Sequence, residues 1–550
     1  VVPDKSMFSL RKQTVLWHLV AALLSQPIPV FGQEAAAIDA DVLLQGGTII
    51  DGTGSPGFVG DIAIVGDKIV AVGQFDHGKI GRKIDCRGLI VAPGFIDLHN
   101  HSDSSDEEDS EIGETEKLKS RQILKDKTRE SVCYLTQGCT TIVTGNCGGG
   151  AVDVAAYYAA LDARPAGVNV AHLIPHGSLR SEVIGPTRRP PTDKELARMQ
   201  ELARAQMQAG AWGMSTGLQY VPGSFADVNE LAAIAQVVGA AGGIYASHIR
   251  DEGDQLLESI DEALEIGRRA HLPIHISHLK ASKQSNWGKV KAAAAMIRAA
   301  RDAGLRVTAD QYPYDASSTS ISAMLLPDEE REGGTQAVIA KLDDPAQAAR
   351  LRKLVTAALA DRGPIMIARS PEHPAWIGKL ISDVAQAENR SETDVALDIL
   401  RSSDDQGVSF SMNEDDVRYV MTLPWVATAS DGSVKVEDGT NPHPRSFGTF
   451  SRRIGHYAIA EGVVPLEQAV RSATGLPAEI LGLEDRGLVK PGTFADVVVF
   501  DPPTFRDHAT YQSPFQLSTG VKFVLVNGRL AIDEGKPAHL AAGMALRKPR

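Results

Sequence analysis

The chain has 550 residues, 43% hydrophobic and 23% charged, a composition that excludes a disordered, collagen-like or multi-span membrane protein. Its 56 Lys and Arg residues against 69 Asp and Glu residues give a formal net charge of −13. Because the chain is acidic and has no clustered basic stretch, nucleic acid and anionic membrane are not expected partners. Four cysteines are too few for a disulfide scaffold.

The first 37 residues have the order of a secretory signal peptide. Arg11 and Lys12 precede an apolar stretch at 15–24, and small residues suited to a cleavage site follow it. We expect an exported protein, periplasmic or secreted, whose mature chain begins within 33–38. The alternative is a short N-terminal helix packed on the body of the protein.

Short β-branched runs punctuated by turn residues occur at both ends of the remaining chain. The runs are Val42–Leu44, Thr48–Ile50, Asp61–Val65, Lys68–Val72, Ala495–Phe500 and Val521–Gly528. Gly46-Gly47, Asp51-Gly52 and Gly66-Asp67 are the predicted turns between the early runs. The pattern predicts one small β-sandwich domain built from residues 38–92 and 485–550.

Between these ends, short apolar strands alternate with amphipathic helices. The predicted strands are Leu89–His99, Thr140–Thr144, Val168–Leu173, Gly213–Ser215, Gly243–His248, Pro273–His278, Arg306–Asp310 and Val426–Asp431. Such alternation indicates parallel strands with crossover helices, and eight strands point to an α/β fold with a closed (β/α)8 TIM-like barrel. We assign the barrel to residues 93–324 and 425–484, with a helical insertion at 325–424 that is too long for a loop.

Several predicted strands end in residues that can bind a metal. His99 and His101 are two residues apart, so on an extended chain both rings leave the same face. Cys147 offers a soft thiolate ligand suited to zinc. Further strand ends carry His248, His278 and Asp431. Each one alone is better explained as a structural histidine, a buried cysteine or a helix-capping aspartate, but their joint occurrence at the mouth of one barrel predicts a metal site.

The motifs together resemble the amidohydrolase superfamily and, within it, the D-aminoacylase (N-acyl-D-amino-acid deacylase) family. The resemblance covers about residues 41–528. Its segments are Gly94–His101 with Asp103, Gly138–Gly148, Met214–Gly223, Ala246–Gly253, Ile276–Lys280, Gln311–Ser318, Ser430–Gly432 and His443–Arg445.

The resemblance implies two metal positions and a reaction. A firmly held zinc would be bound by Cys147, His248 and His278. A weaker second metal position would use His99, His101 and Asp431. Zinc lowers the pKa of bound water to roughly 7, so a metal hydroxide would attack the carbonyl carbon of an N-acyl-D-amino acid, and cleavage of the C–N amide bond would release a carboxylate and a free D-amino acid.

Asp431 is the candidate base that takes the proton of the water and passes it to the leaving amine; its alternative role is that of a metal ligand. The free carboxylate of such a substrate must be paired when it leaves water. Arg445 offers a planar fork for it, and Lys280 could add a point charge. By resemblance, Tyr220, Tyr312 and Ser318 join this pocket.

Two other readings stay open. A related amidohydrolase could act on a cyclic amide, as a hydantoinase does, or on a D-dipeptide. Arg445 argues against a cyclic amide, which has no carboxylate to pair with it. The second alternative is a noncatalytic exported binding protein, which the presence of metal ligands, base and anchor together disfavours.

Overall fold

The computed structural model describes residues 37–105, 118–402 and 405–549. The predicted leader, up to residue 36, lies outside the described residues. The β-strands are β1 (Ile38–Ile49), β2 (Phe58–Val65), β3 (Lys68–Gly73), β4 (His77–Asp85), β5 (Ile90–Pro93), β6 (Phe95–Asp97), β7 (Cys139–Thr144), β8 (Asn169–His172), β9 (Ile174–Pro175), β10 (Gly213–Gly217), β11 (Ile244–His248), β12 (Ile274–Ile276), β13 (Val307–Gln311), β14 (Ser317–Thr319), β15 (Ile365–Arg369), β16 (Gln406–Ser409), β17 (Val426–Thr428), β18 (Val497–Phe500), β19 (Val521–Val526), β20 (Arg529–Asp533) and β21 (Lys536–Pro537).

Sixteen α-helices lie within the described residues. They are α1 (Val132–Leu135), α2 (Val154–Ala163), α3 (His176–Val183), α4 (Asp193–Gln208), α5 (Val228–Ala240), α6 (Leu256–Ala270), α7 (Val290–Asp302), α8 (Ile321–Leu325), α9 (Gly334–Asp343), α10 (Pro345–Arg362), α11 (Ile381–Glu388), α12 (Glu392–Ile399), α13 (Glu414–Met421), α14 (Arg445–Ser451), α15 (Leu466–Ala473) and α16 (Gly475–Leu481). A π-helix (Arg452–Ala460) continues α14. Helix α4 begins with a capping box, in which Thr192 and Glu195 satisfy each other's backbone N–H groups.

Eight parallel strand segments form the barrel, which confirms the predicted fold class. One run of pairings joins β6, β7 and β8, and another joins β9 through β13 to β17. Strands β8 and β9 are two halves of one strand, separated by Leu173. The ring closes just beyond the ends of its first and last strands, where Asn100 bridges to Gly432 in parallel register.

The strands from both ends of the chain form one nine-stranded sheet. Strand β5 joins the two sets, because it pairs with β1 on one side and with β18 on the other. The predicted turn at Gly46-Gly47 was wrong: β1 continues through it, and the register against β2 shifts there instead. A Cβ on Gly47 would lie 2.5 Å from a methyl group of Val91, so the glycine permits close packing rather than a reversal.

The insertion is not purely helical. Helices α8 to α12 lie within or beside it and share a core, but β16 pairs antiparallel with β15 on one side and with β14 on the other. The apolar run at Ile365 is short and β-branched, and both sides of this strand are buried. Helix α13 instead contacts α7 and β17 and belongs to the barrel.

None of the helices in the described ranges combines the length and the apolar character that a membrane span requires.

Candidate metal centre and active site

Six potential metal ligands converge at the carboxyl-terminal mouth of the barrel. The structure brings together two overlapping groups, whose ligand atoms lie within 4.8 Å of one another in each group. The first group is Cys147, His248 and His278. The second group is His99, His101, Cys147 and Asp431. All six residues thus lie where the sequence pattern placed them.

The first group has the spacing of a tetrahedral zinc site. The Cys147 Sγ atom lies 3.6 Å from Nδ1 of His248 and 3.8 Å from Nε2 of His278. Zinc bonds of about 2.3 Å to sulfur and about 2.0–2.1 Å to nitrogen, at a tetrahedral angle, separate the two ligand atoms by about 3.6 Å. The observed distances therefore fit one ion held by these three side chains.

The second group is more compact and includes a carboxylate. Asp431 Oδ1 lies 3.0 Å from Nε2 of His101 and 3.4 Å from Nε2 of His99. The same His99 nitrogen is 3.1 Å from Cys147 Sγ, a shorter separation than one tetrahedral zinc would give. Cys147 belongs to both groups, so its thiolate lies between them.

Hydrogen bonds hold the imidazole rings in orientations that leave one nitrogen directed at the centre. Asp310 Oδ2 lies 3.3 Å from Nδ1 of His99, and Oδ1 accepts the backbone N–H of His278 at 2.7 Å. Gln219 Oε1 lies 2.9 Å from Nε2 of His248. Such partners fix which ring nitrogen is available as a ligand.

Glu252 is a further hydrogen-bond partner of a histidine in the candidate metal site. Its Oε1 atom lies 2.7 Å from Nδ1 of His278, and the same oxygen accepts a hydrogen bond from the Lys280 ammonium. The sequence analysis did not single out Asp310, Gln219 or Glu252. Asp310 ends a predicted strand, and Glu252 follows the strand end at His248 by four residues. An inspection of every polar residue at or just after a strand end would have found these two.

The charges around Cys147 favour its thiolate form. Burial alone would raise the pKa of the thiol, but the positive charge of His99 and hydrogen bonds from His101 and His248 hold it well below the ordinary value. A thiolate is the form that binds metal. By contrast, burial raises the pKa of Cys86 to about 12 and that of Cys133 to about 11.

Three of the ligand residues adopt left-handed backbone conformations. Cys147 has φ +50°, His278 has φ +37° and Asp431 has φ +50°. The turn after Cys147 depends on close backbone approach, because a Cβ on Gly148 would lie 2.8 Å from the backbone nitrogen of Gly217. These turns aim the side chains inward after each strand has ended.

The ligands open into a cavity of about 840 Å³ at the barrel mouth. Arg445 lines it and is nearly buried; its guanidinium donates to Asp431 Oδ2 at 2.7 Å and to the Ser318 carbonyl at 3.2 Å. Burial opposes ionisation of Asp431, but the charges of Arg445 and His99 hold the pKa of this carboxyl well below its usual range. Asp431 is therefore a carboxylate at neutral pH.

The other predicted pocket residues also line this cavity, with differing partners. Lys280 is engaged by Glu252, and its ammonium lies 2.8 Å from Nδ1 of His278. Tyr220 accepts a hydrogen bond from Thr319 at 3.0 Å, and its ring lies 4.8 Å from that of His248.

Tyr312 presents its ring to the guanidinium of Arg445, 5.1 Å from the ring centroid. Its hydroxyl is directed at the Met412 sulfur, 3.7 Å away. Burial raises the pKa of both Tyr220 and Tyr312, so both hydroxyls are protonated.

Known proteins share sequence and fold with this chain. A family model described as "Amidohydrolase family" matches residues 82–532. The chain is 35% identical to the D-aminoacylase of Alcaligenes xylosoxydans xylosoxydans over 89% of this chain and 93% of that protein. It is 34% identical to the N-acyl-D-glutamate deacylase of the same organism over 91% and 95%.

A solved structure is similar in fold as well as in sequence. It is the N-acyl-D-glutamate deacylase of Bordetella bronchiseptica, complexed with zinc and a phosphonate inhibitor that mimics the tetrahedral intermediate of the reaction. It superposes with a TM-score of 0.77 at 33% identity, and the match covers 93% of this chain and 100% of that one.

Proposed function

Because the chain belongs to the amidohydrolase family, we propose that it is a zinc-dependent hydrolase of N-acyl-D-amino acids, which releases a carboxylate and a free D-amino acid. The observation that carries the proposal is the convergence, in one cavity, of Cys147, His248 and His278 with the carboxylate of Asp431 and the guanidinium of Arg445. The relatives named above supply the preference for D-amino acids.

Cys147, His248 and His278 would hold the zinc, since their spacing and the thiolate form of the cysteine fit the ion. His99, His101 and Asp431 would form the weaker position. Bound zinc would polarise the scissile carbonyl and lower the pKa of a bound water toward 7.

Asp431 moves the proton. Its Oδ1 atom faces His99 and His101, on the side of the metal ligands, whereas Oδ2 is held by Arg445. The carboxylate accepts the proton of the attacking water at Oδ1 and donates it to the leaving nitrogen, which makes one residue the base and then the acid. The hydrogen bond from Arg445 keeps the carboxylate oriented between these two steps.

Arg445 binds the α-carboxylate of the substrate. Two of the five guanidinium N–H groups are used by Asp431 and the Ser318 carbonyl. The remaining donors can pair with a carboxylate that enters from the cavity. Tyr220 is protonated and lies against His248, where its hydroxyl can donate to the acyl part of the substrate.

The test uses the zinc-loaded protein with matched N-acetyl-D- and N-acetyl-L-amino acids, a hydantoin and a D-dipeptide, while release of free amine is followed. We expect release from the D series only, and its loss in Asp431→Asn. Zinc content and the circular dichroism spectrum of the variant must match those of the wild type, so that loss of activity reports loss of the proton carrier.

The alternatives give different results in the same assay. Turnover of only the hydantoin or the dipeptide would contradict the deacylase assignment and retain the metal chemistry. No turnover of any compound by a protein with verified zinc would contradict the enzymatic proposal. In Arg445→Gln we expect KM for N-acetyl-D-amino acids to rise about 10- to 100-fold, as for the loss of a charge-assisted hydrogen bond.

We also propose that the segment 1–37 directs export, on the strength of its basic, apolar and small-residue order. A fusion of residues 1–40 to a phosphatase that is active only after export tests this. Activity that disappears when Leu19 and Leu23 are replaced by Asp would support export. Equal activity of the two fusions, or none from either, would contradict it.

A further inference from the structure

The cavity contains cationic side chains that the proposed reaction does not use. Arg331 lies on the 3-10 turn Asp328–Arg331, and Arg362 is the last residue of helix α10. Both line the cavity. Among the residues that the structure describes, no carboxylate oxygen lies within the 4.0 Å of an ion pair with either guanidinium, whereas Arg445, Lys280 and Lys283 of the same cavity are each paired.

Their hydrogen bonds leave donors free. Arg331 donates to the carbonyls of Leu326 and Gln219, at 3.1 and 2.8 Å. Arg362 makes no hydrogen bond through its guanidinium within the described part of the chain. A half-buried guanidinium without a partner loses hydration that nothing replaces, and the planar fork is suited to a carboxylate.

The electrostatics point the same way. Burial lowers the pKa of both arginines, and the charge of Arg362 lowers that of Arg331 further. Carboxylates act in the opposite direction on both arginines: Asp328 and Glu329 on Arg331, and Asp251, Glu252 and Asp361 on Arg362. Of these, Glu252 and Asp361 are already paired with Lys280 and Lys283. An anion between the two guanidinium groups would relieve both the lost hydration and their mutual repulsion.

Arg331 is connected to the proposed reaction centre through the segment Gln219–Tyr220. Arg331 donates to the carbonyl of Gln219, the residue before Tyr220, and the side chain of Gln219 meets His248. On the other side, Thr319 donates to the Tyr220 hydroxyl and the neighbouring Ser318 carbonyl accepts from Arg445.

We propose that Arg331 and Arg362 form a second anion subsite, which binds a second carboxylate of the substrate, carried by the side chain of the D-amino acid or by the acyl group. The assignment deepens the proposed function and rests on it. Arg445 then holds the α-carboxylate, and the arginine pair selects dianionic over monoanionic substrates.

The test compares charged substrates with uncharged compounds of the same shape. N-acetyl-D-glutamate against N-acetyl-D-glutamine probes a side-chain carboxylate. N-succinyl-D-alanine against N-succinamoyl-D-alanine probes an acyl carboxylate. We expect kcat/KM to favour the charged member of one pair by at least about 10-fold, and the favoured pair identifies where the second carboxylate lies.

Variants then assign the preference to the arginines. In Arg362→Gln we expect kcat/KM for the charged member to fall about 10- to 100-fold, as for the loss of a charge-assisted hydrogen bond, and that for the neutral member to change less than about twofold. Arg331→Gln should lower kcat/KM for the charged member as well. Arg362→Lys, which keeps the charge, should retain part of the preference. Arg352→Gln is the matched control, because Arg352 is exposed on the same helix and pairs with Asp394.

Hydrolysis of neutral substrates without a preference for either charged member would overturn the subsite and leave the proposed function standing. Equal losses for charged and neutral substrates in Arg362→Gln would also overturn it. If no amide is hydrolysed, the proposed function fails, and calorimetry decides the subsite: D-glutamate or succinate should bind the wild type and not Arg362→Gln, while equal binding by both proteins contradicts it.

Discussion

Asp310 orients two of the candidate metal ligands, His99 and His278, through hydrogen bonds. Replacing it with Asn tests the effect of these hydrogen bonds on zinc binding with little change of side-chain shape. The carboxylate receives three donors: His99 Nδ1 at 3.3 Å, His275 Nε2 at 2.8 Å and the backbone N–H of His278 at 2.7 Å. It is buried to 1% exposure. The positive charge of His99 and the hydrogen bonds overcome the effect of burial and lower its pKa.

An amide cannot satisfy all three donors. If its oxygen accepts the N–H of His278, its NH2 group faces two imidazole nitrogens that donate. If the amide is turned over, NH2 faces the N–H of His278. Either way, a charge-assisted hydrogen bond worth about 1.5–3 kcal/mol is lost, and the orientation of His99 or of His278 is no longer fixed. We expect the zinc affinity of Asp310→Asn to fall about 10- to 100-fold.

The assay is competition for zinc between the metal-stripped protein and a chelator of known affinity, with thermal melting in parallel. Asp496→Asn is the matched control. Asp496 is equally a buried carboxylate, which accepts from Asn169 at 2.9 Å, from the backbone of Asn527 at 2.7 Å and from Arg486, but it lies in the sheet domain. We expect both variants to melt at a lower temperature and only Asp310→Asn to lose zinc affinity. A zinc affinity within twofold of the wild type would refute the reasoning.

Three further predictions follow from other parts of the structure. In native metal-stripped protein at neutral pH, a thiol reagent should modify Cys147 and spare the other three cysteines, because those are buried and the pKa of Cys147 is lowered. Zinc should block the reaction. Modification of a second thiol before unfolding would contradict this prediction. Gly148→Ala should destabilise the protein by roughly 1–3 kcal/mol and weaken zinc binding, because φ at this residue is +70° and a Cβ would meet backbone atoms. Gly149→Ala is the control: a Cβ there meets nothing within 4 Å, so this variant should behave as wild type in thermal melting and zinc titration. The hydrogen bonds from Arg189 lower the pKa of Glu195 from 4.5 to about 2, so the stabilising effect of this carboxylate is complete above about pH 5 and is lost as the pH falls toward 2. In urea unfolding, the loss of unfolding free energy in Glu195→Gln should be larger at pH 7 than at pH 4. An equal loss at both pH values would be inconsistent with this pKa.

Much of the barrel could be predicted because its strands are short, apolar and separated by amphipathic helices. The predicted strand Thr140–Thr144 differs from the observed β7 by one residue at its start. The turn predicted at Gly46-Gly47 was wrong, because these glycines lie within a strand and accommodate a neighbouring side chain. A glycine signals close approach or a turn with equal strength, and only the packing partner distinguishes them.

The convergence of the candidate metal ligands could be predicted from the sequence, whereas most of their hydrogen-bond partners could not. His99 and His101 reach the same centre, but β6 ends at Asp97, before either histidine. The left-handed conformations at Cys147 and Asp431 carry no sequence signal, since residues other than glycine rarely adopt them. Hydrogen-bond partners such as Gln219 come from loops whose course depends on the assembled barrel.

The pairing of β5 with β18 has a consequence for the order of folding. Pro93 pairs with Val497 and Ile90 with Phe500, so residues some 400 positions apart in the chain must meet before this sheet is complete. Strand β5 is separated by one residue from β6, whose end leads to His99. During synthesis the first metal-binding segment therefore waits, without its final sheet partner, for almost the whole chain to emerge, and contacts of such long range are slow to form. The second ligand group, which needs Asp431 as well as His99 and His101, is therefore complete only after most of the chain has emerged.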